Sequence, residues 1–136
     1  MSLALATWEY QKAVYDVLKL SSALQAIVTG VFDLMANPNT EYPYVVVGEC
    51  AEADTPMQHI EARELTSNIH VFSVYRGKKE MISVGEVVVG LLHRRVLSMT
   101  GWTMIVHTYM DTQTVTEPGP IFHGIFRFRA RVQAVQ

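Results

Sequence analysis

The chain has 136 residues, a formal net charge of −2 and a pI near 6.2, with 49% hydrophobic and 18% charged residues. That is enough chain for one domain with a real core and not for two, and the charge argues against a general nucleic-acid binder. A single cysteine, Cys50, excludes an internal disulfide and suits a reducing cytoplasm, and no apolar run reaches the roughly 18 residues that span a bilayer.

The first stretch, MSLALATWEYQKAVYDVL, lacks a basic n-region and carries Glu9 and Asp16, so it does not read as a signal peptide. Residues 4–18 read as an amphipathic helix, with Ala6, Tyr10, Ala13, Val14 and Val17 at helical spacing. Ser21 and Ser22 suit the cap of a short second helix ending at Gly30. Val31–Leu34 is a short extended piece, and Asn37-Pro38-Asn39 a turn. The β-branched run Tyr44–Gly48 is apolar on both faces, as a central strand would be. Residues 49–62 are acidic, contain Pro56 and show no period, which predicts a long loop of the functional or mobile kind.

Leu65–Tyr75 alternates as a long strand, and Gly77-Lys78-Lys79 breaks it. A well-buried helix is predicted from about Lys79 to Ser98, with Met81, Val84, Val88, Leu91, Leu92 and Arg95 on its stripe. Trp102–Thr112 is a further strand, 113–120 a second long loop, and Ile125–Val132 the last strand. The predicted fold is α+β: a four-stranded, mainly antiparallel sheet with two main helices on one face, in the order α-β-β-α-β-β. Residues 1–136 form one domain, with mobile loops at 49–62 and 113–120.

Catalytic chemistry finds little support. His59, His70, His93, His107 and His123 are scattered, without HxxxH or HExxH spacing or a second thiol, so no metal site is expected. His70 shares a strand face with Thr66 and Asn68, where a cross-strand hydrogen bond is its natural use. Cys50 sits among acids, which raise a thiol pKa. No serine lies in a GxSxG elbow, and Gly77-Lys78-Lys79 lacks the spacing of a phosphate loop. No catalytic residue or cofactor is expected.

The last strand carries the sharpest signal. Phe126, Phe128, Ala130 and Val132 face one way, and Arg127, Arg129 and Arg131 the other. No acid occurs from Ile121 to Gln136, whereas Glu41–Glu64 holds six acids against one base, Arg63. Exposed cross-strand pairs, such as Arg127 or Arg129 with Glu64 or Asp111, contribute roughly 0–1 kcal/mol each, a weak reason for three arginines. Alternatively, Glu49, Glu52, Asp54, Glu61 and Glu64 of one subunit meet Arg127, Arg129 or Arg131 of the next, a head-to-tail contact that must close into a ring or extend as a filament. A third reading turns the arginines to a lumen that passes DNA, where phosphate attraction needs no sequence.

SSALQAIVTGVFD at the end of the helical start, EYPYVVVGE at 41–49, NIHVFSVYRGKKEM at 68–81 and HGIFRFRARV at 123–132 resemble, in order and spacing, the tail-completion family of long-tailed phages and gene-transfer agents. The resemblance runs over nearly the whole chain. It implies a structural, non-enzymatic tail terminator or tail-to-head joining protein at the head-proximal end of a tail tube. Such a protein forms a ring, expected to be six-fold, that meets the tail tube protein and the head connector protein and lets genome DNA pass. The implied location is the virion tail, with assembly in the host cytoplasm and no membrane partner. The competing reading is a small ferredoxin-like ligand-binding or regulatory module, with its site around Thr66, Asn68 and His70.

Overall fold

The computed structural model describes residues 4–33, 36–74 and 77–135. Leu34 and Tyr75, the predicted ends of two extended segments, lie outside them. Two long helices, α1 (Thr7–Leu20) and α3 (Gly77–Leu92), frame four long strands, β2 (Tyr44–Asp54), β3 (Ala62–Ser73), β5 (Trp102–Glu117) and β6 (Ile121–Ala134). A four-residue helix, α2 (Ser22–Gln25), and two-residue strands β1 (Val31–Phe32) and β4 (Ser98–Met99) complete the fold.

The sheet is therefore six-stranded, in the order β1-β2-β3-β6-β5-β4, and mixed, because β1 runs parallel to β2. It curls into a half-barrel. This corrects the predicted four-stranded sheet with two main helices. The expected extended piece at Val31 is β1, but two-residue strands are too short for periodicity to place them in a sheet, and a one-turn helix leaves only a cap signal. That cap is real: the Ser21 hydroxyl accepts from the Leu24 N–H at 3.2 Å, but α2 ends at Gln25, well before Gly30.

Three further boundaries differ from expectation. β2 continues to Asp54, pairing Cys50–Asp54 with Ser67–Arg63 beyond an irregularity after Val47, so the connection shrinks to 55–61. The register shift hides the alternation that would have marked 50–54 as strand. At the C-terminal hairpin, β5 and β6 stay paired to Glu117 and Ile121, leaving Pro118-Gly119-Pro120 as the turn. Gly119, at φ 115°, takes a conformation that side chains resist. Finally, α3 stops at Leu92 because Arg94 adopts φ 62° and gives its N–H to the His107 carbonyl at 2.7 Å. A left-handed residue ends a helix, but the usual glycine signal is missing here.

The core lies between the helices and one face of the sheet. Tyr10, Val14 and Leu18 of α1 and Met81, Val84, Val88 and Leu92 of α3 pack on Val45, Leu65, Ile69, Phe126, Phe128 and Val132, all buried. A polar chain crosses it. His107 Nδ1 meets the Leu92 carbonyl at 2.8 Å and so must be the protonated nitrogen, which leaves Nε2 to accept from the Tyr10 hydroxyl at 2.8 Å. The Tyr10 oxygen in turn accepts from Ser67 at 2.8 Å. Burial pushes the Tyr10 phenol well above its usual pKa and pushes His107 down, so both are held neutral.

The helix–sheet contact is closest at Gly85 of α3, where a Cβ would lie 2.0 Å from Cζ of Phe126. Alanine would add about 1 kcal/mol of helix propensity, but overpacking against a buried ring costs about 1–3 kcal/mol and outweighs it. Gly85→Ala is therefore expected to lower the urea midpoint; an unchanged or raised midpoint would show that Phe126 can move aside.

Candidate functional site: the open face of the sheet

The face of the sheet turned away from the helices is built by alternation. On β3 the odd residues from Leu65 to Ser73 are buried, and the even ones from Glu64 to Phe72 are only partly so. On β6, Arg127, Arg129 and Arg131 are exposed between buried Phe126, Phe128, Ala130 and Val132. Antiparallel register then sets three rows: Glu64, Arg131 and Val106; Thr66, Arg129 and Thr108; Asn68, Arg127 and Asp111.

The three arginines differ in what they meet. Arg127 grips Asp111 with both arms of its fork, Nε to Oδ1 at 2.9 Å and Nη2 to Oδ2 at 2.6 Å. That hydrogen-bonded cation holds the Asp111 carboxyl below its usual pKa. Arg131 reaches Glu64 only at 4.0 Å. Arg129 lies between two threonines, and among the described residues no carboxylate lies within 4.0 Å of it.

The acidic residues do not form one patch. The Glu52 side chain, 8% exposed, accepts from the N–H groups of Ala6, at 2.9 Å, and Thr7, at 2.9 Å, and from the Thr7 hydroxyl at 2.6 Å. It thus serves as the N-cap that α1 lacks locally, and a carboxylate there also suits the helix dipole. Arg63, side chain 7% exposed, gathers Glu52 (3.3 Å), Asp54 (3.2 Å) and Glu61 (2.8 Å), with its guanidinium 5.3 Å from the centroid of the Trp102 ring. Glu49 lies elsewhere, bonded to Asn68 at 3.1 Å and to His70 Nε2 at 2.6 Å. Partial burial pushes its carboxyl up, but the bonds from Asn68, its own backbone N–H and His70 outweigh that and hold it at about 2. Glu64 faces Arg131.

Two features escaped the sequence. Arg63 reads there as a lone base among solvated acids, because Ala62 and Arg63 are both buried and break the alternation. Nor does spacing bring His70 to His123, yet β3–β6 pairing sets them diagonally on one face, Nδ1 to Nε2 at 2.6 Å. A cavity of about 630 Å³ opens beside them, lined among others by Tyr44, Glu49, Phe72 and Glu117. Thr66 and Asn68, expected beside His70 in a ligand site, do not line it. Burial first, then Glu52, pushes the Cys50 thiol up to about 11, which removes the thiolate a nucleophile needs. Among the described residues no group of three or more histidine, cysteine, aspartate or glutamate side chains is placed to hold a metal, and no helix is long and apolar enough to cross a membrane.

The family model described as tail completion protein gp17 matches residues 12–133, which takes in β2 and Arg63 as well as the arginine rows of the open face. The chain belongs to that family. Solved structures share the fold of this tail-completion chain. One is from the virion of a native gene transfer agent particle, at 21% identity and TM-score 0.89, covering 97% of this chain and 100% of that one. Another is the gp17 protein of bacteriophage SPP1, at 23% identity and TM-score 0.62, covering 98% and 97%. No curated protein matches. Family membership makes the chain a structural protein of phage tail assembly.

Proposed function

We propose that this tail-completion subunit caps the head-proximal end of a finished tail tube and joins it to the head connector, acting without catalysis. It would do so as a head-to-tail ring, six-fold by the family resemblance, through which the genome passes without sequence recognition. It would be assembled in the host cytoplasm and retained in the virion. The observation that carries the reading is Arg129, an exposed arginine without a carboxylate partner among the described residues, in the middle of a sheet face whose other two arginines have acids opposite. An unmatched arginine on a rigid strand suits a carboxylate from a second subunit or a phosphate, which it can bind through a planar fork.

The acids available to a neighbour are those with free surface. Glu52 is spent inside its own subunit, whereas Glu49 (70% exposed), Asp54 (67%) and Glu61 (49%) keep oxygens toward solvent. Asp54 precedes and Glu61 ends the 55–61 connection, whose ordering on assembly would cost free energy and keep subunits apart until a tail end templates them. Arg127 and Arg131, facing Asp111 and Glu64, are assigned to balancing their own sheet.

Gene deletion with add-back tests this reading. Particles made without the chain should accumulate filled heads and separate tails, and adding purified chain to that mixture should restore joining. Normal joined particles in the deletion would sink the proposal.

A further inference from the structure

Across the lower part of the open face, four side chains from four strands form one line: Glu49, His70, His123 and Glu117. His70 Nε2 meets Glu49 Oε1 at 2.6 Å, His70 Nδ1 meets His123 Nε2 at 2.6 Å, and His123 Nδ1 meets Glu117 Oε1 at 2.7 Å. A carboxylate only accepts, so both outer ring nitrogens must carry a proton. The two inner nitrogens are then the ones left to bear lone pairs, and they point at each other. Something positive has to lie between them, either a shared proton or a metal ion.

We propose that His70 Nδ1 and His123 Nε2 form a binding site for a zinc-class divalent transition ion, with Glu49 and Glu117 as the carboxylates that orient the two rings. A metal-ligating histidine almost always donates its other N–H to a carboxylate or carbonyl, which fixes the tautomer and raises the basicity of the ligating nitrogen. Here both rings have that partner, on opposite outer ends. The rings are also held in place. Phe72 stacks on His123 with centroids 4.2 Å apart, and a Cβ at Gly48 would lie 2.4 Å from Cδ2 of His70.

Zinc bonds imidazole nitrogen at about 2.0 Å, so two ligands in tetrahedral array sit roughly 3.3 Å apart. The nitrogens must open by about 0.7 Å from their present separation, and both rings must turn so that their lone pairs converge on one point, toward a cavity of about 630 Å³ whose wall includes both histidines. Water from that cavity would fill the remaining coordination positions. With two protein ligands the site is two short of a structural zinc centre and one short of a catalytic one, and this sets it apart from clusters that spacing alone would reveal.

The test uses the untagged, chelator-dialysed full chain, titrated with Zn²⁺ by calorimetry and with Co²⁺ by visible absorption. One ion per chain is expected, with binding lost in His123→Ala and retained in His59→Ala, a histidine exposed elsewhere. Glu117→Gln, which keeps size and shape, should weaken binding about 10- to 100-fold while leaving the circular dichroism spectrum unchanged. Absence of binding by the wild-type chain at millimolar Zn²⁺ would overturn the proposal and leave a shared proton as the bridge. So would wild-type affinity in a folded His70→Ala, His123→Ala double variant, which would place the ion at surface histidines.

Discussion

Arg63→Ala is expected to be among the most destabilising single changes in this protein, lowering unfolding free energy by about 3–5 kcal/mol. The side chain is 7% exposed and lies at the meeting point of Glu52, Asp54 and Glu61, with Trp102 beneath it. Removing the cation leaves Glu52, itself 8% exposed, as a carboxylate whose remaining partners are the amides of Ala6 and Thr7 and the Thr7 hydroxyl. The cost of that uncompensated burial exceeds what Asp54 and Glu61 regain by turning to water. A domain of this size has about 5–15 kcal/mol in total, so a large share of its stability rides on one residue. Thermal unfolding should move down by about 10 °C or more. Arg63→Lys should fall between, since it keeps the charge but loses the fork and the planar contact with Trp102. A loss below about 1 kcal/mol for the alanine variant would mean that the cluster behaves as an ordinary surface pair.

The same residue explains why some of the architecture was legible and some was not. The α1 and α3 stripes, the alternation of β3 from Leu65 and the two faces of β6 follow from period, because residues such as Phe126, Phe128, Ala130 and Val132 alternate without a break, while the start of β2 shows only as a β-branched run. Where a bulge interrupts the period, as after Val47, an acidic run reads as loop although it is strand. Where a charge turns inward, as at Arg63, composition misreads it as surface. Glu52 misleads for a related reason. Its role as the cap of α1 comes from a strand 45 positions away from Thr7, and no local signal at Ala6 or Thr7 asks for it.

The site divides along the same line. That Arg127, Arg129 and Arg131 share a face is a property of one strand. Which of them has an acid opposite depends on registers between strands, and these single out Asp111 for Arg127, Glu64 for Arg131 and two threonines for Arg129. The line from Glu49 through His70 and His123 to Glu117 is entirely of the second kind, since it needs four strands at once. The family resemblance, by contrast, rests on the order of segments along the chain, and so it was readable before any register was known.

Arg129→Glu separates assembly from folding. The residue is exposed, makes no ion pair among the described residues and stands between Thr66 and Thr108, so reversing its charge should change monomer stability by no more than about 0.5 kcal/mol. In an assembly it would set a carboxylate against whatever anion the arginine meets, and both candidates, a neighbour's Asp54 or Glu61 and a phosphate backbone, would repel it. One such clash costs several kcal/mol, and a symmetric ring repeats it at every subunit. The decisive measurement is therefore in vitro joining of filled heads to tails that lack the chain, with wild-type or Arg129→Glu protein added at equal concentration and counted by electron microscopy. The folded Arg129→Glu subunit is expected to yield fewer joined particles than wild type by about a hundredfold or more. Joining at the wild-type level would contradict this expectation.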